Sequence, residues 1–333
     1  MTSLPASPTP DPPDEGAAPG TEGAPDLARL SELFSLSRVE PASLTPFAAV
    51  HRCRTAAGEE AVLKRTASAA AAMARWLRAL DAAGVDVVVP LAEAQVLGEE
   101  TWVLYPYIDG ESYSGTTEQL RAAGDLLGRL HAAEVPLEGL RRYAHPSTVR
   151  AEVEADLVTL REILHRALPA ERAAAADASI TALGARWFER SWPALRAADP
   201  DLPRTGVSSD WKAANLVFRP GGAVLVDPDN GGVEPRLLDL ALALVLLPCE
   251  TPGAPPRMLE PAEWDVLVGA YARHVTLTER ERELWPAALD HQWWEEGTWV
   301  LEDAGEDGWT DPVQGGYLRS LAQWDPAPYR LPA

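Results

Sequence analysis

Residues 208–229 read SSDWKAANLVFRPGGAVLVDPD, and their middle is a hairpin by pattern. Leu216-Val217-Phe218 is an apolar run, Arg219-Pro220-Gly221-Gly222 is turn chemistry, and Ala223 to Val226 is a second apolar run that delivers Asp227. Antiparallel pairing folds Asp227 back beside the segment that entered the hairpin, where Asp210 and Asn215 lie. Two carboxylates and one amide oxygen then converge in a small volume. Carboxylates held so close repel each other, and a divalent cation with hard oxygen preference relieves the repulsion. Mg²⁺ usually takes one or two protein carboxylates and keeps waters and substrate phosphates. The competing account is a pair of solvated loop aspartates, and the D-x4-N spacing alone does not decide between the two.

The lysine in this stretch adds a second signal. Of 29 basic side chains only Lys64 and Lys212 are not arginine, so whatever bias drives the arginine usage has two exceptions. A compact ammonium follows phosphate oxygens as a point charge, whereas a planar guanidinium imposes a bidentate geometry. Against this, Lys64 can be a snorkelling lysine at a strand end and Lys212 a solvent-facing loop residue.

Working outward, residues 26–34 pattern as a short capped helix. Ala48 to Arg54 and Glu60 to Arg65 form a candidate hairpin around Ala57-Gly58, with Lys64 near the end of the second strand. Residues 67–83 are an Ala-rich helix with Trp76, Leu77 and Leu80 on one face. TWVLYPYIDG is a buried strand ending at Pro106, and TTEQLRAAGDLLGRLHAAEV is an amphipathic helix. Thr116 to Pro203 and Leu237 to the end are helical in composition. Residues 1–26, rich in Pro, Gly, Ala, Thr and acids, are expected to be a disordered tail, because so little apolar surface cannot offset the entropy of ordering the chain.

With these elements in place, SSDWKAANLVFRPGGAVLVDPD followed by LLDLALAL resembles the aminoglycoside phosphotransferase and choline-kinase-like branch of the protein-kinase-like fold. That branch carries H-x-D-x4-N, a hairpin, I-D-x-D/E and a D-[LI]-A helix start. EEAVLKRT resembles the strand bearing the nucleotide lysine, WVLYPYIDG the interlobe hinge, and LLGRLHA the first helix of the C-terminal lobe; the likeness runs from about Leu30 to about Trp324. The resemblance implies an α+β, two-lobed fold. It has a small N-terminal antiparallel sheet with a helix over 27–108 and a larger, mainly helical C-terminal lobe over 109–333 that carries the catalytic hairpin.

The resemblance also implies an ATP- or GTP-dependent O-phosphotransferase that uses Mg²⁺. Asp210 corresponds to the catalytic base, and Asn215 and Asp227 to the metal ligands. Lys64 would hold the α and β phosphates, and Lys212 would lie near the transferred phosphate. The backbone from Tyr105 through Tyr107 to Ile108 would contact adenine, and Asp239 would cap the helix that follows. Asp229 has three candidate roles: a second metal, a substrate amine, or a turn cap. Departures are plain as well. Ser208 stands where the pattern has histidine and would brace the nucleotide–metal site with one hydrogen bond. The helix from Thr66 to Gly84 contains no Glu, with Asp81 its only acid, and VEPASLTPFAAV offers Ser43 and Thr45 but no glycine as a nucleotide loop. A nucleotide-binding but inactive pseudokinase is therefore the alternative; a glycosyltransferase using Asp227-Pro228-Asp229 explains the hairpin but neither Lys64 nor the hinge.

Composition limits the partners. A formal charge of −21 argues against nucleic acid and anionic membrane surfaces, and favours a cationic or neutral small molecule. Seven of twelve tryptophans fall between Trp264 and Trp324, several amid acids in DHQWWEEGTWVLEDAGEDGW, which suits either an ammonium-bearing substrate (an aminoglycoside, another basic antibiotic or an amino alcohol) or plain core packing. His131, His165, His274 and His291 show no ligand spacing. Cys53 and Cys249 lack CxxC spacing and read as buried thiols of a reducing cytoplasm, and no export signal or membrane span is expected.

Overall fold

The computed structural model describes residues 25–45, 48–66 and 69–332; the expected disordered tail, apart from Pro25 and Asp26, lies outside the described residues. A short helix α1 (Leu27–Phe34), N-capped by the Asp26 carboxylate on the Arg29 amide, leads into β1 (Leu36–Ser43), β2 (Val50–Thr55) and β3 (Glu60–Thr66). Helix α2 (Ala70–Ala82) follows, then β4 (Gln95–Leu97) and β5 (Glu100–Pro106). The strands form one antiparallel sheet in the order β1-β2-β3-β5-β4. Part of the stretch read as a nucleotide loop is therefore strand β1, which tolerates Pro41 because it is an edge strand with irregular register.

Alternation across the sheet does the positioning. Ala61, Leu63, Trp102 and Leu104 face α1 and enclose a small core with Leu30, Phe34 and Cys53. One residue out of phase, Lys64, Val103 and Tyr105 face the other way, with Lys64 opposite Val103 and Val62 opposite Tyr105. Val103 and Tyr105 join α2 and the second lobe in the main core.

That lobe is mainly helical. Helix α3 (Thr117–Ala132) begins with a Thr116/Gln119 capping box; β6 (Arg141–Arg142), α4 (Arg150–Ala167), α5 (Ala170–Arg186) and α6 (Trp192–Ala198) follow. Next come β7 (Arg204–Val207), the hairpin β8 (Leu216–Arg219) and β9 (Gly222–Leu225), β10 (Gly232–Pro235) and the buried helix α7 (Arg236–Leu246). Helices α8 (Pro261–Tyr271), α9 (Glu279–Gln292), α10 (Thr298–Asp303), α11 (Gly305–Thr310) and α12 (Gln314–Leu321) complete the chain. Among the described residues no helix is long and apolar enough to cross a membrane.

The tryptophans are core. Trp264 stacks on Trp285 at 5.5 Å and Trp294 on Trp187 at 5.3 Å, while Trp293 meets Trp324 edge-on at 5.4 Å. Of the seven counted between Trp264 and Trp324 only Trp299 is exposed. The idea of aromatic faces waiting for an ammonium group is thus corrected: packing consumes those faces, and what the segment leaves over is carboxylate.

Helix α3 approaches α8 closely because Gly124 and Gly128 lie one turn apart on the contact face. A Cβ at Gly124 would sit 2.0 Å from the Leu267 carbonyl oxygen, and one at Gly128 2.7 Å from that of Tyr271. Backbone, unlike a flexible side chain, cannot step aside. Gly124→Ala is therefore expected to destabilise the protein by about 1–3 kcal/mol or more, the usual cost of overpacking. The measurement is a shift in urea midpoint, with the exposed Gly269→Ala, whose Cβ would meet nothing within 4 Å, as control.

Candidate active site

The hairpin closes as its sequence demands. Leu216 pairs with Leu225 and Arg219 with Gly222; Gly221 at φ 104° and Gly222 at φ 147° supply backbone conformations that side-chain-bearing residues resist. Beyond the last strand pair the Val226 amide donates to the Asn215 carbonyl at 2.9 Å, which sets Asp227 beside Asn215. Asn215 Nδ2 donates to both the carbonyl oxygen (3.0 Å) and Oδ2 (2.9 Å) of Asp210. The amide nitrogen is thereby committed, and Oδ1 of Asn215 is the atom left for a cation.

Lys64 reaches this group from the other lobe. Its ammonium donates to Asp227 Oδ1 in a short hydrogen bond and lies 3.0 Å from Asp229 Oδ2. That second contact is an ion pair without hydrogen-bond alignment, since Asp229 Oδ2 is buried and has no directed donor among the described residues. Burial works against the charge on Lys64, but the two aspartates outweigh it and raise its pKa. Lys212 donates to Glu250 at 2.6 Å and stands 3.6 Å from Asp210 Oδ1. Burial raises the Asp210 pKa above the usual carboxylate range; Lys212 and the Asn215 hydrogen bond pull it back, while Asp227 and Glu250 push it further.

The loop that carries Asp210 is held in a conformation a serine does not choose. Ser209 sits at φ 54°, in the left-handed region, and Glu250, which holds Lys212, does the same. The Ser209 amide donates to Asp239 Oδ1 at 2.8 Å and its hydroxyl to Glu234 Oε1 at 3.0 Å. Asp239 Oδ2 in turn faces His131 Nε2 at 2.9 Å. Two expectations are corrected here. Asp239 does not cap its helix: it lies inside α7, completely buried, and ties the Asp210 loop to α3. Among the described residues the buried Ser208 hydroxyl has no hydrogen-bond partner, so it donates no brace there; the restraint comes from Asp239 and Glu234.

The remaining predicted residues are placed as follows. The Tyr105 hydroxyl donates to Asp229 Oδ1 at 3.1 Å. The Tyr107 amide is committed to the Glu60 carbonyl at 3.2 Å and its ring lies under Arg52, which removes that N–H from the donors open to an adenine. Asp81 is exposed. Sequence reading missed Glu234, Glu250 and Asn230, the last of which shares Asp210 Oδ2 at 3.3 Å. No local signal marks them, because each is brought in by β10, by the end of α7 or by the turn after Asp229.

Acidity extends past Asp210. Glu295 and Glu296 lie on a π-helical turn (Trp293–Gly297) between α9 and α10, a widened turn often found at functional sites. Burial, then the neighbouring Glu296 and Asp156, push Glu295 up to about 7. Burial and the charge of Asp210 raise Glu296. Glu234 is pushed up to about 8 by burial and by Asp239. Carboxylates in this state gain strongly from an incoming cation.

Hard oxygens at Asn215 and Asp227 fit Mg²⁺, which needs few protein ligands when phosphates supply the rest. Among the described residues no group of three or more His, Cys, Asp or Glu side chains is placed to hold a metal ion by itself.

Residues 48–285 match the phosphotransferase enzyme family (APH), and the chain belongs to that family: it is a small-molecule phosphotransferase by class. A search of curated proteins gave no match. Among solved structures, an aminoglycoside phosphotransferase from Alicyclobacillus acidocaldarius is similar, with TM-score 0.56 and 17% identity over 86% of this chain and 87% of that one. An amicoumacin kinase in complex with AMP-PNP, Ca²⁺ and Ami aligns with TM-score 0.54 at 14% identity, over 90% of this chain and 92% of its own. A microcompartment-associated aminopropanol kinase aligns with TM-score 0.53 at 14% identity, over 89% and 93%. At these identities the structures speak for the fold, which is the two-lobed protein-kinase-like one.

Proposed function

We propose that the protein transfers the γ-phosphoryl group of ATP, with Mg²⁺, to a hydroxyl of a small amine-bearing molecule such as an aminoglycoside-like antibiotic or an amino alcohol. The observation that supports this reading is the convergence of Asp210, Asn215 and Asp227 with Lys64 in one hydrogen-bonded group where the two lobes meet. Asp210 accepts a hydrogen bond from the acceptor hydroxyl, aims it at the phosphorus and takes its proton as transfer proceeds. Asn215 and Asp227 would hold the metal, Lys64 the α and β phosphates, and Lys212 the oxygens of the group in flight. Bound Mg²⁺ supplies charge neutralisation on the phosphates. Glu295 and Glu296 are the candidate acceptors for substrate ammonium groups: both are half-buried on the π-helical turn, and the charge of Asp210 acts on Glu296.

The test is Mg²⁺-dependent transfer from radiolabelled ATP, and in parallel GTP, across aminoglycosides, other basic antibiotics and amino alcohols. Nucleotide binding without transfer to any of them would favour the pseudokinase reading, which draws on the unbraced Ser208 and the acid-free face of α2. For an accepted substrate, Glu295→Gln and Glu296→Gln should each raise its KM about 10–100-fold, the worth of one charge-assisted hydrogen bond, while leaving the nucleotide KM in place. Unchanged acceptor KM in both variants would move the amine site elsewhere.

A further inference from the structure

We propose that Asp229, steered by the phenol of Tyr105, is the residue that positions Lys64 for the nucleotide. This rests on the reading of Lys64 as the phosphate-holding lysine. A flexible ammonium needs a fixed carboxylate to hold it in place, and helix α2, which lies on the Lys64 side of the sheet with Val103 and Tyr105, has none to give. Its sequence AAAMARWLRALDA contains one acid, Asp81, and that side chain is exposed. The ion pairs of Lys64 run instead to the far side of the cleft, to Asp227 and Asp229.

These two aspartates are not equivalent. The Asp227 side chain is 37% exposed and opens to the cleft, whereas that of Asp229 is 11% exposed, as is that of Lys64. Asp229 is also pinned from the sheet: Tyr105 projects from β5 on the same face as Lys64 on β3, and its hydroxyl donates to Oδ1 at 3.1 Å, turning Oδ2 toward Lys64 at 3.0 Å. Tyr105, Asp229 and Lys64 thus form a chain whose two ends lie on adjacent strands of one rigid sheet. A carboxylate with one oxygen on Tyr105 and the other on Lys64 is poorly disposed to hold a second metal.

The difference matters once nucleotide and metal arrive. Asp227 must then share its oxygens with the cation, and its bond to Lys64 weakens. Asp229 keeps the ammonium from becoming an unpaired buried charge, which is costly, and holds it on the phosphate path. The undirected 3.0 Å contact leaves Asp229 Oδ2 free to align with Lys64 as Asp227 lets go.

The experiment uses the full chain with Lys64→Met, Asp229→Asn, Tyr105→Phe and the Lys64→Met/Asp229→Asn double variant. Equilibrium titration with a fluorescent N-methylanthraniloyl-ATP and counting of Mn²⁺ per bound nucleotide by electron paramagnetic resonance are the readouts, with thermal melts to confirm folding. Asp229→Asn should weaken nucleotide binding about tenfold or more and Tyr105→Phe a few-fold, each mainly in nucleotide KM rather than kcat, with Mn²⁺ stoichiometry as in the wild type. Asp229→Asn should add little on the Lys64→Met background, because the two act through one contact. Loss of one Mn²⁺ in Asp229→Asn would overturn the proposal in favour of a metal ligand, and so would an undiminished Asp229→Asn effect in the double variant. Wild-type nucleotide affinity in Lys64→Met would instead remove the underlying reading of Lys64. Should Asp229→Asn fail to fold, Tyr105→Phe still decides, since the same shift in nucleotide affinity with unchanged Mn²⁺ count is required of it.

Discussion

Replacing Asp210 by alanine is expected to lower kcat for phosphoryl transfer by about 10²–10⁴-fold, the contribution of a well-placed general base, with nucleotide affinity nearly unchanged. The expectation follows from how the side chain is held. Oδ2 accepts from Asn215 at 2.9 Å and from Asn230 at 3.3 Å, while Oδ1 lies 3.6 Å from Lys212 and is the less committed oxygen. Amide donors fix the plane of the carboxylate and leave Oδ1 to meet the acceptor hydroxyl. Asp210→Asn preserves the shape and loses the base, so it should be nearly as slow as alanine. Full transfer activity in either variant would give the base to another residue, with Glu250, paired to Lys212, the first to examine.

How much of this was legible in the chain depends on how local each feature is. The hairpin of residues 216–225 was readable because strand pattern, turn chemistry and the polar residues at both ends lie within one short segment, and the structure pairs it as the pattern predicts. The β3 lysine and the β5 strand were readable for the same reason. The second sheet, in which β10 pairs with both β6 and β7, was not. Its strands are two to four residues long, one of them Arg141–Arg142 and another ending in Pro235, and β10 meets β6 from some ninety residues away and β7 from some thirty. Such strands exist through their neighbours and carry no periodicity of their own.

The site divides along the same line. Asp210, Asn215, Asp227 and Lys64 stand in motifs, and the structure brings them into one hydrogen-bonded group. Glu234, Glu250 and Asn230 are each an acid or amide of no local distinction whose meaning comes from the side chain opposite. The tryptophan-rich segment was ambiguous because Trp and Glu alternate there in sequence. The π-helical turn at Trp293–Gly297 separates them in space, burying Trp293 and Trp294 while leaving Glu295 and Glu296 partly open. A 3.6-residue periodicity could not have shown that sorting.

The largest effect on stability is expected at Asp239, a residue that touches no substrate. Its carboxylate is completely buried and accepts from His131 Nε2 at 2.9 Å and from the Ser209 amide at 2.8 Å; His131 is fixed from its other side by the Tyr271 hydroxyl, 3.2 Å from Nδ1. Asp239→Ala removes one partner from a buried pair and leaves the Ser209 N–H and the imidazole unanswered, which should cost about 3–5 kcal/mol. The same substitution frees Ser209 from the left-handed conformation at φ 54° that sets the direction of Asp210. Relaxation of the loop by about 1 Å is enough to lose about 10²-fold in rate. Urea unfolding measures the first loss. The second is measured by kcat well below the unfolding temperature, where the variant is still folded. His131→Ala should reproduce much of the stability loss but less of the rate loss, because the Ser209 amide keeps its acceptor. Equal rate losses in the two variants would mean that α3, and not the Ser209 hydrogen bond, sets the course of the loop.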